Sequence, residues 1–437
     1  MAQTVALGTV ETPKVPVSST YHGITVTEDY RWLEDAASDR TRSWTVAQDR
    51  RTRSYIGNLP SYGAVRRRVE EVLTAESVKY NALRCAGRVY FALKHQPPKQ
   101  QPFLVALSSL DDLSDERVLV DPDEIDDSGS TTIDWYQPSP DGRLVAVSLS
   151  SRGTEDGTVH IFETTSGELI GATVPGVNGG TAGGSLAWAG DSSGFWYTRY
   201  PSPAERPAGE TGFYQEVWHH PLGGSLDDDR RELSGVFADD RTAENFLNAS
   251  PDGRWVMDRV QKGDGGEWQL FVRAQAAGGW WLAADIDDKV VYATFGPGAL
   301  YLLSRQDAPR GKVLRLPLQA GATVASAVEV VPEADVTIEG PDVTSPNAEG
   351  GLAVTDTRLW LLDIAGGPSS LRLFHLDGKP AGPVGVPPSS AVDGLSRLDG
   401  QEVAYATESF TEPRSWWRAS GEPAARRTAL VTQTSLD

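Results

Sequence analysis

The sequence predicts an all-β protein, a seven-bladed β-propeller with a short N-terminal helical segment. Short apolar runs bounded by turn residues recur along most of the chain, and no long helical pattern separates them. One turn sequence returns at intervals, as it does in repeat folds. The 13 Trp against 2 Met indicate the rigid aromatic packing that sheets often use.

Residues 1–76 are predicted to form the helical segment. Ser38 is placed to cap one helix, which runs toward Tyr55, and Ser61 is placed to cap a second. In the second helix the apolar residues recur at i, i+4, i+7 and i+8: Val65, Val69, Val72 and Leu73. This spacing gives the helix one apolar face, which we expect to pack against another structure.

Residues 77–425 are predicted to form the propeller, and residues 426–437 the start of a linker. The strand-sized runs include residues 88–93, 144–147, 290–293, 300–303 and 358–362. The sequence SPDGRLV at 139–145 returns as SPDGRWV at 250–256, DSSGFWY at 191–197 occupies the same place between them, and 397–403 is a weaker copy. Proline, aspartate and glycine suit a tight turn that joins the first two strands of a blade. The units between Tyr80 and Gly421 number about seven, within the usual range for propellers, although residues 332–351 are poorly patterned.

The composition limits the kinds of partner that we expect for this chain. The net charge of −20 argues against nucleic acid, since phosphate binding relies on clustered basic residues. No stretch approaches the ~20 apolar residues of a membrane span, and the first ten residues do not resemble a secretory signal. Cys85 is the single cysteine, which excludes a disulfide framework within one chain. We therefore expect a cytoplasmic protein with no membrane or nucleic-acid partner and no cofactor.

Several motifs resemble those of the prolyl oligopeptidase family of serine peptidases. DYRWLED at 29–35, after His22-Gly23, is similar to an N-terminal family motif, and Gln48 to the helix element that follows, although Asp49 replaces the usual Asn. The run 186–201 resembles the third blade of the family, and 407–413 its closing strands. These motifs come in family order and span almost the whole chain.

The resemblance implies a propeller that caps an α/β-hydrolase domain and filters substrates by size, admitting short proline-containing peptides. In the family, that domain follows the propeller and supplies a Ser-Asp-His triad from a nucleophile elbow. The present sequence stops at Asp437, so we expect the catalytic domain to be missing and the chain to be inactive alone. No catalytic, cofactor-binding or metal-binding residue is assigned. The stretch 176–184 matches a region that contacts substrate in the family, but it is glycine-rich and has no aromatic anchor.

Three features mimic functional sites. GDSSG at 190–194 fits the G-x-S-x-G pattern, yet strand residues follow it where an elbow needs a helix, which favours a blade turn. The six histidines, at positions 22, 95, 160, 219, 220 and 375, are scattered, and the adjacent pair would point to opposite faces of a strand. The acidic runs 227–229 and 285–288 lack the spacing of a calcium loop and are interpreted as solvated loop charge.

Two functional hypotheses follow. The first is the gating propeller of a prolyl oligopeptidase-like enzyme, with a hydrolase domain as its partner. The second is a standalone propeller that binds a peptide or protein, or an inactive remnant. A third, a complete enzyme with a site inside the propeller, would need clustered acid–base residues around the channel. Under the first hypothesis the Val65 face and Trp32 would be exposed without the hydrolase, giving either a bound partner domain or poor solution behaviour.

Overall fold

A computed structural model describes residues 8–178, 184–233, 236–237, 240–263, 266–276, 278–341, 350–421 and 425–434. The chain divides into two units, the first ending at Ala75 and the second beginning at Glu76. Among the described residues, neither of the two long helices carries an apolar stretch long enough to cross a membrane.

The first unit contains a hairpin and two helices. Its elements are β1 (Val17–Tyr21), β2 (Ile24–Glu28), a 3-10 turn (Arg31–Glu34), α1 (Asp39–Gly57) and α2 (Tyr62–Leu73). Ser38 caps α1 as predicted, because its hydroxyl accepts a hydrogen bond from the Thr41 amide at 3.2 Å. Ser61 precedes α2, but its side chain makes no capping hydrogen bond. The predicted cap at Ser61 is therefore wrong. Its backbone is already helical, whereas a capping residue is normally extended.

Residues of the first unit partly cover Trp32. Its ring meets the Trp44 ring edge-on at 6.3 Å, and the Arg40 guanidinium lies 4.1 Å above it. Its indole nitrogen donates to the Pro13 carbonyl at 3.0 Å. Trp32 is therefore partly rather than fully exposed, because residues of its own unit cover part of its ring.

The apolar side of α2 is exposed, as expected for this chain on its own. The exposed fractions are 58% for Val65, 49% for Val69, 44% for Val72 and 70% for Leu73. We call these four residues the apolar face of α2. Such a face usually marks an interface.

The second unit is a seven-bladed propeller of antiparallel sheets, as predicted. Blades one and two contain β3 (Ser77–Ala86), β4 (Val89–His95), β5 (Phe103–Leu107) and β6 (Arg117–Val120), then β7 (Thr131–Pro138), β8 (Leu144–Ser151), β9 (Thr158–Glu163) and β10 (Leu169–Pro175), with the short helix α3 (Pro122–Ile125) between them. Blades three and four contain β11 (Leu186–Trp188), β12 (Gly194–Arg199), β13 (Glu216–Pro221) and β14 (Arg230–Glu232), then β15 (Ala243–Ala249), β16 (Trp255–Lys262), β17 (Gln269–Ala274) and β18 (Trp281–Ala284).

The remaining blades keep this order. Blade five contains β19 (Val290–Gly296), β20 (Ala299–Ser304), β21 (Lys312–Pro317) and β22 (Val328–Val331). Blade six contains β23 (Thr337–Ile338), β24 (Leu352–Val354), β25 (Arg358–Ile364), β26 (Ser369–His375) and β27 (Pro380–Pro383), where β23 and β24 both pair with β25. Blade seven contains β28 (Ala391–Arg397), β29 (Val403–Glu408), β30 (Ser415–Ala419) and β31 (Arg426–Val431). Of the poorly patterned stretch, residues 342–349 lie outside the described residues.

The repeated SPDG sequence forms the turn between the first and second strands of a blade. In blade two the Ser139 hydroxyl donates to Asp141 at 2.7 Å and accepts from the Leu144 amide at 3.0 Å. Burial alone would raise the pKa of Asp141, but hydrogen bonds from Ser139 and Arg143 lower it to about 2. Blade four repeats these bonds around Asp252. A short stretch of sequence therefore fixes both turns locally.

Side chains connect blades seven and one where the ring closes. The Trp416 indole donates to the Tyr80 carbonyl at 2.8 Å, and the Ser396 hydroxyl donates to the Leu83 carbonyl at 2.9 Å. One apolar cluster joins the two blades, including Phe103 of blade one beside Trp416. Side-chain packing and a few buried hydrogen bonds thus hold this seam.

The end of the propeller differs from the predicted boundary at residue 425. Residues Arg426–Val431 form the outer strand of blade seven, pairing with β30. A further short strand, β32 (Gln433–Thr434), pairs with Ser77 and Val78 at the start of β3. The described residues 426–434 therefore belong to the propeller sheets rather than to a linker, and the chain enters and leaves the propeller at one place.

Candidate functional site

The inner strands of all seven blades line a central cavity of about 380 Å3. Each blade contributes residues close to the turn that leads into its second strand. One lining residue from each blade, in order, is Arg84, Gln137, Ala187, Asn248, Ala293, Ala353 and Ser396. Because every inner strand starts at the face where the chain enters and leaves, this cavity lies toward the opposite face of the propeller.

The lining of the cavity is more basic than the chain as a whole. It includes Arg84, Arg88 and Arg397 but only one acidic residue, Asp399. Arg397 is held by Asp356 at 2.7 Å and by the Val354 carbonyl at 3.2 Å. Three arginines therefore lie at this mouth of the channel, and carboxylates lie close to them, with Asp356 paired to Arg397 and Asp399 in the lining.

Contacts between neighbouring turns brace the mouth of the channel. A Cβ atom built on Gly190 of blade three would lie 2.5 Å from the Gly253 Cα of blade four, and a Cβ on Gly253 would lie 2.6 Å from the Gly190 Cα. Gly253 also has a φ of +66°, which favours glycine. Two glycines thus allow these turns to touch directly.

The cavity lacks an activated nucleophile among its described residues. Burial raises the pKa of the Cys85 thiol to about 11, so that residue stays protonated at neutral pH. No group of three His, Cys, Asp or Glu side chains in the described parts of the chain is arranged to hold a metal ion. The cavity can admit or orient a ligand, and its geometry suggests no chemical step.

The GDSSG sequence at 190–194 is a blade turn, as the sequence predicted. It joins β11 to β12, so a strand follows it directly. The Ser192 amide donates to the Ala189 carbonyl at 2.9 Å, and the Ser193 hydroxyl donates to Asp191 at 2.6 Å. The Ser193 hydroxyl bond therefore stays within the turn, while the Ser193 carbonyl accepts from the Leu222 amide at 2.9 Å.

His219 and His220 lie on opposite faces of β13, as expected for adjacent strand residues. The His219 ring packs against Trp196, and burial lowers its pKa. His220 is buried, and its Nδ1 lies 2.6 Å from Asp229. Asp229 also accepts the Tyr197 hydroxyl at 2.6 Å. The interpretation of residues 227–229 as solvated charge is therefore wrong for Asp229, whose side chain is only 3% exposed.

Three of the other acidic residues, Asp228, Asp285 and Asp288, bond to short 3-10 turns. The Asp228 carboxylate accepts a hydrogen bond from the Ser225 amide at 2.8 Å, and the Asp288 carboxylate accepts one from the Asp285 amide at 2.9 Å. The Asp285 carboxylate also accepts from Gln269 at 2.9 Å. Asp227 and Asp287 are exposed, as the interpretation of solvated loop charge predicts. Of the glycine-rich stretch 176–184, residues 179–183 lie outside the described residues.

Comparisons with known proteins agree on one relationship. The family model described as "Prolyl oligopeptidase, N-terminal beta-propeller domain" matches residues 10–429. The prolyl endopeptidase of Elizabethkingia meningoseptica is 24% identical over 315 residues, which cover 71% of this chain and 42% of that protein. The prolyl endopeptidase of Elizabethkingia miricola is 27% identical over 271 residues, covering 58% of this chain and 37% of that protein. The chain thus spans less than half the length of these relatives.

Solved structures show the same fold. A structure from a study of two prolyl endopeptidases and their inter-domain dynamics superposes with a TM-score of 0.84 at 23% identity, covering 98% of this chain and 60% of that one. Prolyl oligopeptidase B of Galerina marginata, bound to a 35-residue hydrolysis and macrocyclization substrate, superposes with a TM-score of 0.78 at 17% identity, covering 98% of this chain and 61% of that one.

Proposed function

Because the chain belongs to the prolyl oligopeptidase family through its N-terminal propeller domain, we propose that it is the non-catalytic gating part of a peptidase that cleaves short peptides after proline. Its partner in this proposal is the α/β-hydrolase domain that family members carry after the propeller. The propeller would restrict which molecules reach the serine nucleophile.

The narrow central cavity is the observation that carries the proposal. Its volume of about 380 Å3 suits a short peptide segment. A folded domain of 100 residues has a radius of gyration of about 13 Å and is far too large. The braced turns would resist widening of the mouth.

The apolar face of α2 supports a hydrolase partner. Its four residues are 44% to 70% exposed although they are apolar and share one side of a helix. Burying a single valine fully contributes about 1.5–3 kcal/mol. We propose that the hydrolase domain covers this face.

A fusion experiment tests the gating role. The chain is joined to the hydrolase domain of the E. meningoseptica prolyl endopeptidase, and hydrolysis of a chromogenic Gly-Pro substrate is compared with cleavage of a folded protein. We expect the fusion to cleave the short substrate and spare the folded protein, and the chain alone to be inactive. Hydrolysis by the chain alone would contradict a non-catalytic role. An inactive fusion would instead favour a standalone binding propeller.

A matched pair of variants tests the apolar face. Val69→Ser should weaken binding of the separate hydrolase domain about tenfold, because a buried valine contact is lost. Arg67→Ser, on the opposite side of α2 by helical geometry, should leave the affinity unchanged. Calorimetric titration measures both. Equal affinities for the two variants would show that the hydrolase does not bind this face.

A further inference from the structure

A second cavity, of about 680 Å3, lies outside the central channel, between blades two and three. We call it the blade 2–3 groove and define it by Val174, Tyr197, Arg199, Tyr200, Trp218 and Leu226. Its volume is within the range of ligand sites. The comparisons assign no role to it.

One wall of the groove is a fixed ion pair stacked on an aromatic ring. Arg199 donates to both carboxylate oxygens of Glu205, at 2.8 and 2.7 Å, and its guanidinium lies 4.3 Å from the centre of the Trp218 ring. The hydrogen bonds from Arg199 lower the pKa of Glu205 to about 2, so the pair stays charged. The Tyr200 amide donates to the Gly176 carbonyl at 3.1 Å and ties this wall to blade two.

The opposite end of the groove is equally fixed. Tyr197 and His220 both bind Asp229, each at 2.6 Å, and the side chains of His220 and Asp229 are both buried. The groove is therefore shaped in advance, which reduces the ordering that a ligand must impose.

Charge and shape define the ligand. The groove is lined by the carboxylates of Asp156, Glu205 and Asp229 and by the single cation of Arg199. Arg199 pairs with Glu205 and Asp229 contacts His220, so Asp156 is the lining carboxylate outside these two contacts. Tyrosine, tryptophan and proline rings form much of the remaining lining. This combination favours a basic group next to an aromatic one.

The neighbouring edge of blade two favours a peptide over a small molecule. The outer strand β10 pairs only with β9 among the described strands, and Val174 and Pro175 at its end line the groove. An extended chain can lie along such an edge while its side chains enter a pocket.

We propose that the blade 2–3 groove binds an extended peptide segment that carries an aromatic side chain beside a basic one. In the gating peptidase proposed above, the groove would be a second contact for peptides outside the channel. Only this role rests on the proposed function; the binding itself does not. Binding by the chain alone requires no hydrolase, so this test can fail while the gating role stands.

Two glycine variants provide a matched test. Gly212 lines the groove, Gly209 lies in the same loop outside the lining, and a Cβ atom at either position would meet nothing within 4 Å. Neither has a positive φ. Gly212→Trp should therefore fill the groove without straining the fold, and Gly209→Trp adds the same side chain elsewhere.

The probe is a fluorescein-labelled nonapeptide with a central arginine–phenylalanine pair, followed by fluorescence anisotropy. We expect saturable binding that weakens about tenfold or more in Gly212→Trp, changes less than about twofold in Gly209→Trp, and weakens with added salt. A peptide with glutamate–alanine in the centre should bind at least about tenfold more weakly. No saturable binding to the unmodified chain, or equal binding by the two variants, would overturn the proposal.

Discussion

Asp258 in the second strand of blade four should limit the stability of the propeller at neutral pH. Its side chain is completely buried, and among the described residues neither carboxylate oxygen makes a hydrogen bond of normal geometry. Burial raises its pKa to about 8, although the backbone amide of Phe246 and the charge of Arg259 offset part of the effect. Arg259 itself lies on the other face of the strand, 5.1 Å from Trp268 and 5.2 Å from Tyr292.

The raised pKa of Asp258 determines whether stability rises or falls with pH and over which pH range it changes. An unfolded aspartate has a pKa of about 3.9, so between about pH 4 and pH 8 the folded state binds a proton that the unfolded state has lost. Stability therefore falls as pH rises through this window, by at most about 1.4 kcal/mol per unit. At pH 7 the upper bound is about 4 kcal/mol relative to pH 4.

Asp258→Asn removes the titration and should stabilise the propeller by a few kcal/mol at pH 7, with little effect near pH 4. Urea unfolding of both proteins at pH 5, 6, 7 and 8 measures the difference, which should widen as pH rises. Asp363→Asn is the control, since Asp363 is equally buried but accepts two hydrogen bonds from Arg372, at 2.6 and 2.7 Å. Asp363→Asn should be less stable than the unmodified protein. If Asp258→Asn were no more stable than the unmodified protein at pH 8, or the difference did not change with pH, the reasoning would be refuted.

Two further predictions concern the turns and the ring seam. Gly253→Ala should destabilise the propeller more than Gly298→Ala, because both glycines have a φ near +65° but only a Cβ on Gly253 would collide with Gly190. Thermal unfolding compares the two variants. Equal losses of stability would show that the turn contact is unimportant. Trp416→Phe should cost about 1–3 kcal/mol, because the Tyr80 carbonyl loses a buried donor across the seam; urea unfolding measures it, and an unchanged midpoint would show that the seam does not depend on this bond.

Local patterns carried most of the fold prediction. The SPDG turns, the strand runs and the count of seven units were readable because turn chemistry depends on neighbouring residues. The predicted end at residue 425 was wrong, because residues 426–431 form a strand although their sequence, RRTALV, does not alternate between polar and apolar residues. The pairing of Gln433 and Thr434 with β3 had no local signal, because its partner lies at the other end of the propeller.

The features of the candidate sites also differ in whether the sequence could predict them. The sequence identified the turn nature of residues 190–194 and the opposite faces of His219 and His220, because both follow from local backbone geometry. It could not identify the groove, because the groove is lined by residues of blade two and by four separate stretches of blade three. Asp229 was misread for the same reason, since Tyr197 on a neighbouring strand supplies one of its hydrogen bonds.

The sequence by itself determined the family, the propeller architecture and the placement of the blade turns, because these depend on short motifs and on the order in which they recur. Only the tertiary structure decided which charges are buried, how blade seven meets blade one, and where cavities lie. Those features arise from residues far apart in the chain: Ser396 reaches the Leu83 carbonyl across the seam. A side chain gains its burial and its partners from the packing of separate blades, which no local pattern records.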